Sequence, residues 1–315
     1  MVLVGPTATG KSDVALEAAL SLGAEIVSAD SRLVYRFMDV GTAKPNRAMR
    51  ARVPHHLIDL VDPDRQYTSK DYERDARAAV SAIIARGRIP LVVGGTGLYV
   101  RALLSGIFEG PPANPALRAR LAETARSEGG GSLWRRLAQV DPEKAARTDP
   151  HNLARVIRAL EVFEATGEPM SRLEAGRSPL GLAAVKVGLR RATPDLNRLI
   201  DARVGRMLEA GLVDEVRGLV ARGYGEAPAV KASLGYRETL KYLGGALSLD
   251  DAAALVRRHT RAFAKRQMTW FRGEVDIAWL DVTDTQTPAE VAAEVCREYL
   301  RKSPGGVPPG PQMWP

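Results

Sequence analysis

Apolar residues recur along this chain in two alternating periods. Val2, Leu3 and Val4 form a short continuous run, and a helical spacing follows at Val14, Ala15, Ala18, Ala19 and Leu22, closed by Gly23. Residues 24–28 are a second apolar run, and residues 69–86 a second helix with Tyr72, Ala76, Val80 and Ile83 on one face. Residues 89–93 form a third buried strand, and helical spacing resumes at 98–104. This strand–helix alternation predicts an α/β fold with a doubly wound parallel sheet, whose ligand site lies in the loops at the carboxyl ends of the strands. Those loops are residues 5–12, 29–32 and 94–97. The first run has only three residues, which leaves open a start upstream of Met1.

The period changes after Pro111-Pro112. From Asn114 to about Gly176 only helical segments are legible, marked by Leu117 and Leu121, by Leu133 and Leu137, by the Asp141-Pro142 cap, and by Val156, Leu160 and Phe163 inward. Residues 113–184 therefore read as a helical insertion into a core made of residues 1–112 and 185–302. Val185, Val187 and Leu189 alternate and return to the sheet. Helices are predicted over 193–211, 214–221, 231–242, 250–271 and 288–300, with a strand at 277–280. Residues 32–65 are a long proline-containing connection of the kind that is usually functional. Residues 303–315, rich in Pro and Gly, read as a disordered tail.

Composition adds little to this until charge is considered. One cysteine, Cys296, excludes a disulfide framework and a Cys-rich metal site. No apolar run approaches a membrane span and no signal peptide precedes residue 5, so the cytoplasm is the expected compartment, without a membrane partner. The net charge is +8, which favours a polyanionic partner. Cations concentrate at 257–272, where Arg257, Arg258, Arg261, Lys265, Arg266 and Arg272 occur without one acidic residue. Arg257, Arg261 and Lys265 share a helix face, opposite Val256, Phe263 and Trp270. Arg155 and Arg158 make a smaller cluster. Together they point toward nucleic acid.

The chemistry starts at Gly5-Pro6-Thr7-Ala8-Thr9-Gly10-Lys11-Ser12, a G-x-x-x-x-G-K-[ST] phosphate loop between a strand and a helix. Its backbone N–H groups and helix N-terminus suit phosphate oxygens, Lys11 adds charge, and the Ser12 hydroxyl suits Mg²⁺. A nucleotide hydrolase usually places an aspartate at a neighbouring strand end. Here the strand at 89–93 ends in Gly94-Gly95-Thr96, and the acid, Asp30, follows the strand at 24–28. That set suits a leaving diphosphate attacked by something other than water. Thr96 would hydrogen-bond the bridging oxygen, and Asp30 would accept a proton from the attacking group. Spacing alone also fits Asp30 as a helix or turn cap and Thr96 as a helix cap. His55-His56 are adjacent and so point apart, which argues for packing and hydrogen bonding near the site, not metal ligation.

Taken together, the phosphate loop, Asp30-Ser31 with Tyr35, Gly41-Thr42-Ala43-Lys44-Pro45, Pro54-His55-His56-Leu57-Ile58-Asp59, Gly94-Gly95-Thr96-Gly97-Leu98-Tyr99, Arg158-Ala159-Leu160-Glu161-Val162, Gly235-Tyr236-Arg237-Glu238 and Lys265-Arg266-Gln267-Met268-Thr269-Trp270-Phe271-Arg272 resemble the bacterial tRNA dimethylallyltransferase family. The resemblance covers nearly the whole chain up to about residue 302. It implies a P-loop NTPase-like core that transfers a dimethylallyl group from dimethylallyl diphosphate to N6 of the adenine 3′ of the anticodon, without ATP, with Mg²⁺ and as a monomer. It implies Asp30 as general base, Thr96 as assistant to the leaving group, and a diphosphate held by residues 5–12 and Arg203. It implies contacts with the tRNA anticodon stem-loop from Asp30, Ser31, Arg32 and Leu33, from Thr96 and Arg118, and from Ala154, Arg155, Val156, Ile157 and Arg158. Further contacts are implied from Ala232, Ser233, Leu234, Gly235, Tyr236 and Arg237, and from Lys265 through Arg272. The chain departs from the family in Ser12, where threonine is common and the hydroxyl is kept, and in His151-Asn152-Leu153, which does not match cleanly. The competing readings are a small-molecule kinase, which leaves the basic helix unexplained, and a non-catalytic RNA-binding nucleotide sensor.

Overall fold

A computed structural model describes residues 1–303 apart from 109, 130 and 178. Six strands are found: β1 (Val2–Val4), β2 (Ala24–Ser28), β3 (His55–His56), β4 (Ile89–Gly94), β5 (Lys186–Arg190) and β6 (Ile277–Asp281). They form one parallel sheet in the order β3-β2-β4-β1-β5-β6. β1 is central because it is covered on both edges: Val2 pairs with Val92 on one side and Lys186 on the other. Its three residues are all buried, so a short strand suffices where both neighbours hydrogen-bond to it.

The chain divides into two compact units, residues 1–104 with 181 onward, and residues 105–180. The sequence pattern had placed these boundaries at 112/113 and 184/185. In the first unit, the helices Lys11–Leu22 and Pro288–Lys302 pack together over a core containing Leu3, Leu16, Leu91, Val187, Leu189 and Val295. A second core joins the long connection to the later helices, with Val34, Tyr35 and Met38 against Leu212, Val216 and Tyr236. The second unit is all helical and has its own core of Leu121, Leu133, Leu137, Val156 and Leu160. The proline- and glycine-rich tail from residue 304 lies outside the described residues.

Two local features differ from the sequence pattern. β3 lies inside the connection 32–65, with His55 opposite Ile26 and His56 opposite Val27. The expected helix over 231–242 is two helices, Pro228–Ala232 and Tyr236–Leu243, broken where Gly235 takes φ +88°.

Candidate active site

The phosphate loop leaves β1 through Gly5, whose φ of +145° only glycine adopts freely, and a Cβ there would lie 2.4 Å from the Leu189 carbonyl oxygen. Thr9 is buried and donates to Pro6 O at 2.9 Å, which closes the loop on itself. Lys11 Nζ also donates to Pro6 O, at 2.5 Å, so the lysine folds back over the loop. Gly10 caps the helix Lys11–Leu22 with φ +89° and has no side chain to offer, so no side chain caps the helix N-terminus, whose first residues line the cavity described below.

Two further strand ends meet this loop. Past β2, Asp30 Oδ1 accepts from Arg32 N–H at 2.8 Å. Past β4, Thr96 Oγ1 accepts from Ser31 N–H at 3.1 Å, and Thr96 N–H donates to Ala29 O at 3.1 Å. The turn-capping role is thus present for Asp30, whereas the Thr96 hydroxyl ties its loop to Ser31 and does not cap its own helix, whose first turn bonds to the Thr96 carbonyl. The strand ends approach closely: a Cβ on Gly94 would lie 2.1 Å from Ala29 O, and one on Gly95 2.2 Å from Gln267 Nε2. Gln267 buckles two of the loops. Thr7 N–H donates to its Oε1 at 2.9 Å, and its Nε2 donates to Gly95 O at 2.9 Å.

These loops border a cavity of about 980 Å³, lined among others by Lys11, Ser12, Asp30, Gly95, Arg203 and Phe263. Of the phosphate loop, Thr7, Ala8, Gly10, Lys11 and Ser12 line it. Gly5, Pro6 and Thr9 are not part of the lining and shape the loop from behind. Thr96 follows the lining residues Gly94 and Gly95 and is not itself part of the wall. Arg203 reaches the cavity from the helix Thr193–Glu209 and donates to Thr42 O at 3.1 Å. Burial pushes the Lys11 ammonium down to about 7, and Arg203 adds to this while Asp30 opposes it. Burial likewise lowers Arg203 from its ordinary value. Two cations desolvated beside one carboxylate make a site short of negative charge.

Comparison with known proteins agrees with this chemistry. The IPP transferase family matches residues 33–274. The chain belongs to the IPP transferase family. Over 283 residues it is 50% identical to tRNA dimethylallyltransferase 1 of Citrifermentans bemidjiense, covering 89% of this chain and 91% of that protein. It also resembles the crystal structure of the Bacillus halodurans tRNA isopentenylpyrophosphate transferase, at 37% identity, 96% coverage of each chain and a TM-score of 0.68. A eukaryotic dimethylallyltransferase acting on tRNA matches at 26% identity with a TM-score of 0.78, over 96% of this chain and 79% of that one.

For an IPP transferase, a magnesium ion fits the donor set. Ser12 and Asp30 both line the cavity, and Mg²⁺ needs few protein oxygens when a phosphate ligand supplies others. Among the described residues no cluster of three or more His, Cys, Asp or Glu forms a protein cage. His55 lines the cavity, with Nδ1 at 2.8 Å from Val53 O, and burial lowers its pKa. His56 instead faces Glu25, 2.7 Å away.

The residues expected on tRNA lie in four places. Asp30, Ser31, Arg32, Leu33 and Thr96 are half-buried at the strand ends. In the helix Leu249–Arg272, Arg258, Arg261, Lys265, Arg266, Thr269 and Arg272 are exposed, and Met268 and Trp270 half-buried. Arg261 pairs with Asp201. Arg101 lies 4.5 Å over the Trp270 ring, which also packs on Gly97. Phe271 and Gln267 are buried, so the segment 265–272 presents only part of itself to solvent. The same holds for 232–237: Ser233 and Tyr236 are buried, Gly235 is enclosed, and Ala232, Leu234 and Arg237 are the more accessible positions. Tyr236 OH donates to Glu215 Oε1 at 2.6 Å, and Arg237 Nε donates to buried Glu238 at 2.6 Å.

In the second unit, Val156 and Ile157 belong to its core, which leaves Ala154 and Arg155 exposed. Arg118 and Arg158 are committed to one carboxylate. Arg118 donates twice to Glu161, at 2.9 and 2.8 Å, and Arg158 donates to it at 2.5 Å. Glu161 is fully buried. Burial disfavours its charge, but the hydrogen bonds from Arg118, Arg158 and the Asn114 N–H prevail and hold its pKa at about 2.

Sequence reasoning missed the residues that hold the long connection against the site. Glu215 accepts from the backbone N–H groups of Asp39, Val40 and Gly41 at 2.8, 2.7 and 3.1 Å. Lys44 is buried between Asp39 and Asp59, each at 2.6 Å. Lys44 lies in the run Gly41-Thr42-Ala43-Lys44-Pro45, where a lysine gives no sign of being buried. Glu215 carried no sequence signal, because its backbone partners are more than 170 residues away.

Proposed function

We infer that this chain transfers a dimethylallyl group from dimethylallyl diphosphate to N6 of the adenine 3′-adjacent to the anticodon in tRNA, releasing diphosphate. The observation that carries the reading is the convergence of three strand-end loops on one cavity that offers cations for a diphosphate and, at the end of β2, the Asp30 carboxylate for a proton. In this reading the phosphate loop and Arg203 bind the diphosphate, and its charge restores Lys11 to the protonated form. The adenine leaves its stack to reach the cavity, and single-stranded loop bases are the ones that can be splayed. The N6 nitrogen attacks the carbon bearing the diphosphate, and the carbon–oxygen bond breaks with its electron pair going to the diphosphate. Asp30 takes the N6 proton, since one of its oxygens is held by Arg32 N–H and the other is left to act. Thr96, accepting from Ser31 N–H, keeps its own O–H for donation toward the departing oxygen. Magnesium, when bound near Ser12, supplies charge neutralisation to the diphosphate. The exposed cations of the helix Leu249–Arg272 would meet tRNA phosphates, with Arg155 of the helical unit a further contact. The reading takes the enzyme as a monomer that acts on tRNA in the cytoplasm. No helix among the described residues is long and apolar enough to cross a membrane.

The test is incubation with labelled dimethylallyl diphosphate, Mg²⁺ and unmodified tRNA in the absence of ATP. Label in the tRNA, at the adenine 3′ of the anticodon, is the expected result. Absence of label, or a strict need for ATP, would overturn the reading.

A further inference from the structure

Ser28 is the last residue of β2, 3% exposed, and its Oγ has no hydrogen-bond partner. It lines the cavity. Leaving a buried hydroxyl unpaired costs about 1–3 kcal/mol, so the fold keeps it at a cost unless something in the cavity meets it. Side chains alternate along a strand, which puts Ile26, Ser28 and Asp30 on one face, and all three line the cavity. Ser28 therefore sits about 6–7 Å deeper than Asp30 along the same wall. Ile26, next but one along the strand, and Val93, its partner on the neighbouring strand, also line the cavity and are apolar, so they cannot bond to it.

The chemistry of the occupant follows from these neighbours. A dimethylallyl tail would leave the hydroxyl unpaired. A hydrated cation would not, because its waters donate to an Oγ lone pair. Mg²⁺ keeps several waters when one or two protein oxygens and a phosphate complete its shell. Ser12, at the start of the facing helix, lines the same cavity. We propose that Ser28 is a positioning residue that, together with Ser12, seats the hydrated magnesium diphosphate headgroup, its Oγ bonding to the ion's water shell. This rests on the reading that the cavity takes a diphosphate.

The experiment is calorimetric titration of the full chain with inorganic pyrophosphate, with Mg²⁺ and with EDTA, for the wild type and Ser28→Ala, alongside thermal melts of the free proteins. Wild-type affinity should be enhanced by Mg²⁺. Ser28→Ala should cut that enhancement about five- to tenfold while leaving the EDTA affinity unchanged, the effect of losing one hydrogen bond to an ion's shell. The free Ser28→Ala protein should melt no lower than wild type, because it loses only an unpaired hydroxyl. An unchanged enhancement, or an equal loss with and without Mg²⁺, overturns the proposal. So does a markedly lower melting temperature, which would mean the hydroxyl is satisfied inside the fold. If the wild type binds no pyrophosphate under either condition, it is the reading of the cavity that fails, irrespective of Ser28.

Discussion

Replacing Gln267 separates a structural role from a tRNA-contact role. The family resemblance places Gln267 in a tRNA-binding segment, yet its side chain is 7% exposed and both amide ends bind backbone. Gln267→Ala strands two groups, the Thr7 N–H and the Gly95 carbonyl. Each lost partner costs about 1–3 kcal/mol when the group stays dry. Water entering from the adjoining cavity recovers part of this, so the expected destabilisation is about 2–4 kcal/mol. The same change frees the phosphate loop from the loop carrying Thr96, and turnover should fall with it. Urea unfolding measures the stability, single-turnover prenyl transfer the rate, and filter binding the tRNA affinity. Gln267→Ala is expected to lose stability and rate while tRNA affinity stays within about threefold, a difference worth under 1 kcal/mol. Unchanged stability with a large loss of tRNA affinity would refute the buckle.

Other expectations follow from the charged groups. Lys11 titrates near 7 in the free protein against an ordinary 10.5, so the unfolded chain binds more protons between those values and free-protein stability should rise with pH across that window. Pyrophosphate binding needs the charged lysine, so Lys11 contributes a weakening of affinity of up to about tenfold per pH unit above 7; calorimetry at several pH values, with Lys11→Arg as control, checks both trends. Glu161, held at about 2 against an ordinary 4.5, contributes stability that is present above 4.5 and lost as pH falls toward 2. Melts at pH 3 and pH 7 should therefore differ less in Glu161→Gln than in wild type. Lys265→Ala with Arg272→Ala should reduce the slope of log affinity for tRNA against log salt by about 0.7 per lost phosphate contact; an unchanged slope would remove that helix face from the interface.

Much of the site was legible because its chemistry sits in local patterns. The phosphate loop is eight consecutive residues, and Asp30 and Gly94-Gly95-Thr96 are strand ends whose convergence a parallel sheet dictates. β3 escaped notice because two residues in a proline-containing connection show no periodicity. The loop-tying role of Gln267, expected instead on tRNA, and the role of Glu215 escaped notice because their backbone partners are far away in sequence, and one glutamine on a helix looks like any other. The segments 154–158 and 232–237 illustrate a different limit. A linear motif on a helix turns about 100° per residue, so some of it must face the core. Val156, already inward by spacing, shows that the periodicity carried information that the motif alone did not.

The central claim is that the cavity holds a leaving diphosphate beside Asp30 as the proton acceptor. Single-turnover prenyl transfer from preformed complexes of wild type and Asp30→Asn tests it most directly. Loss of general-base catalysis should lower the rate about 10²–10⁴-fold, with the affinities for tRNA and dimethylallyl diphosphate nearly unchanged. A rate close to wild type in the bound Asp30→Asn complex, with the whole defect in substrate binding, would contradict it.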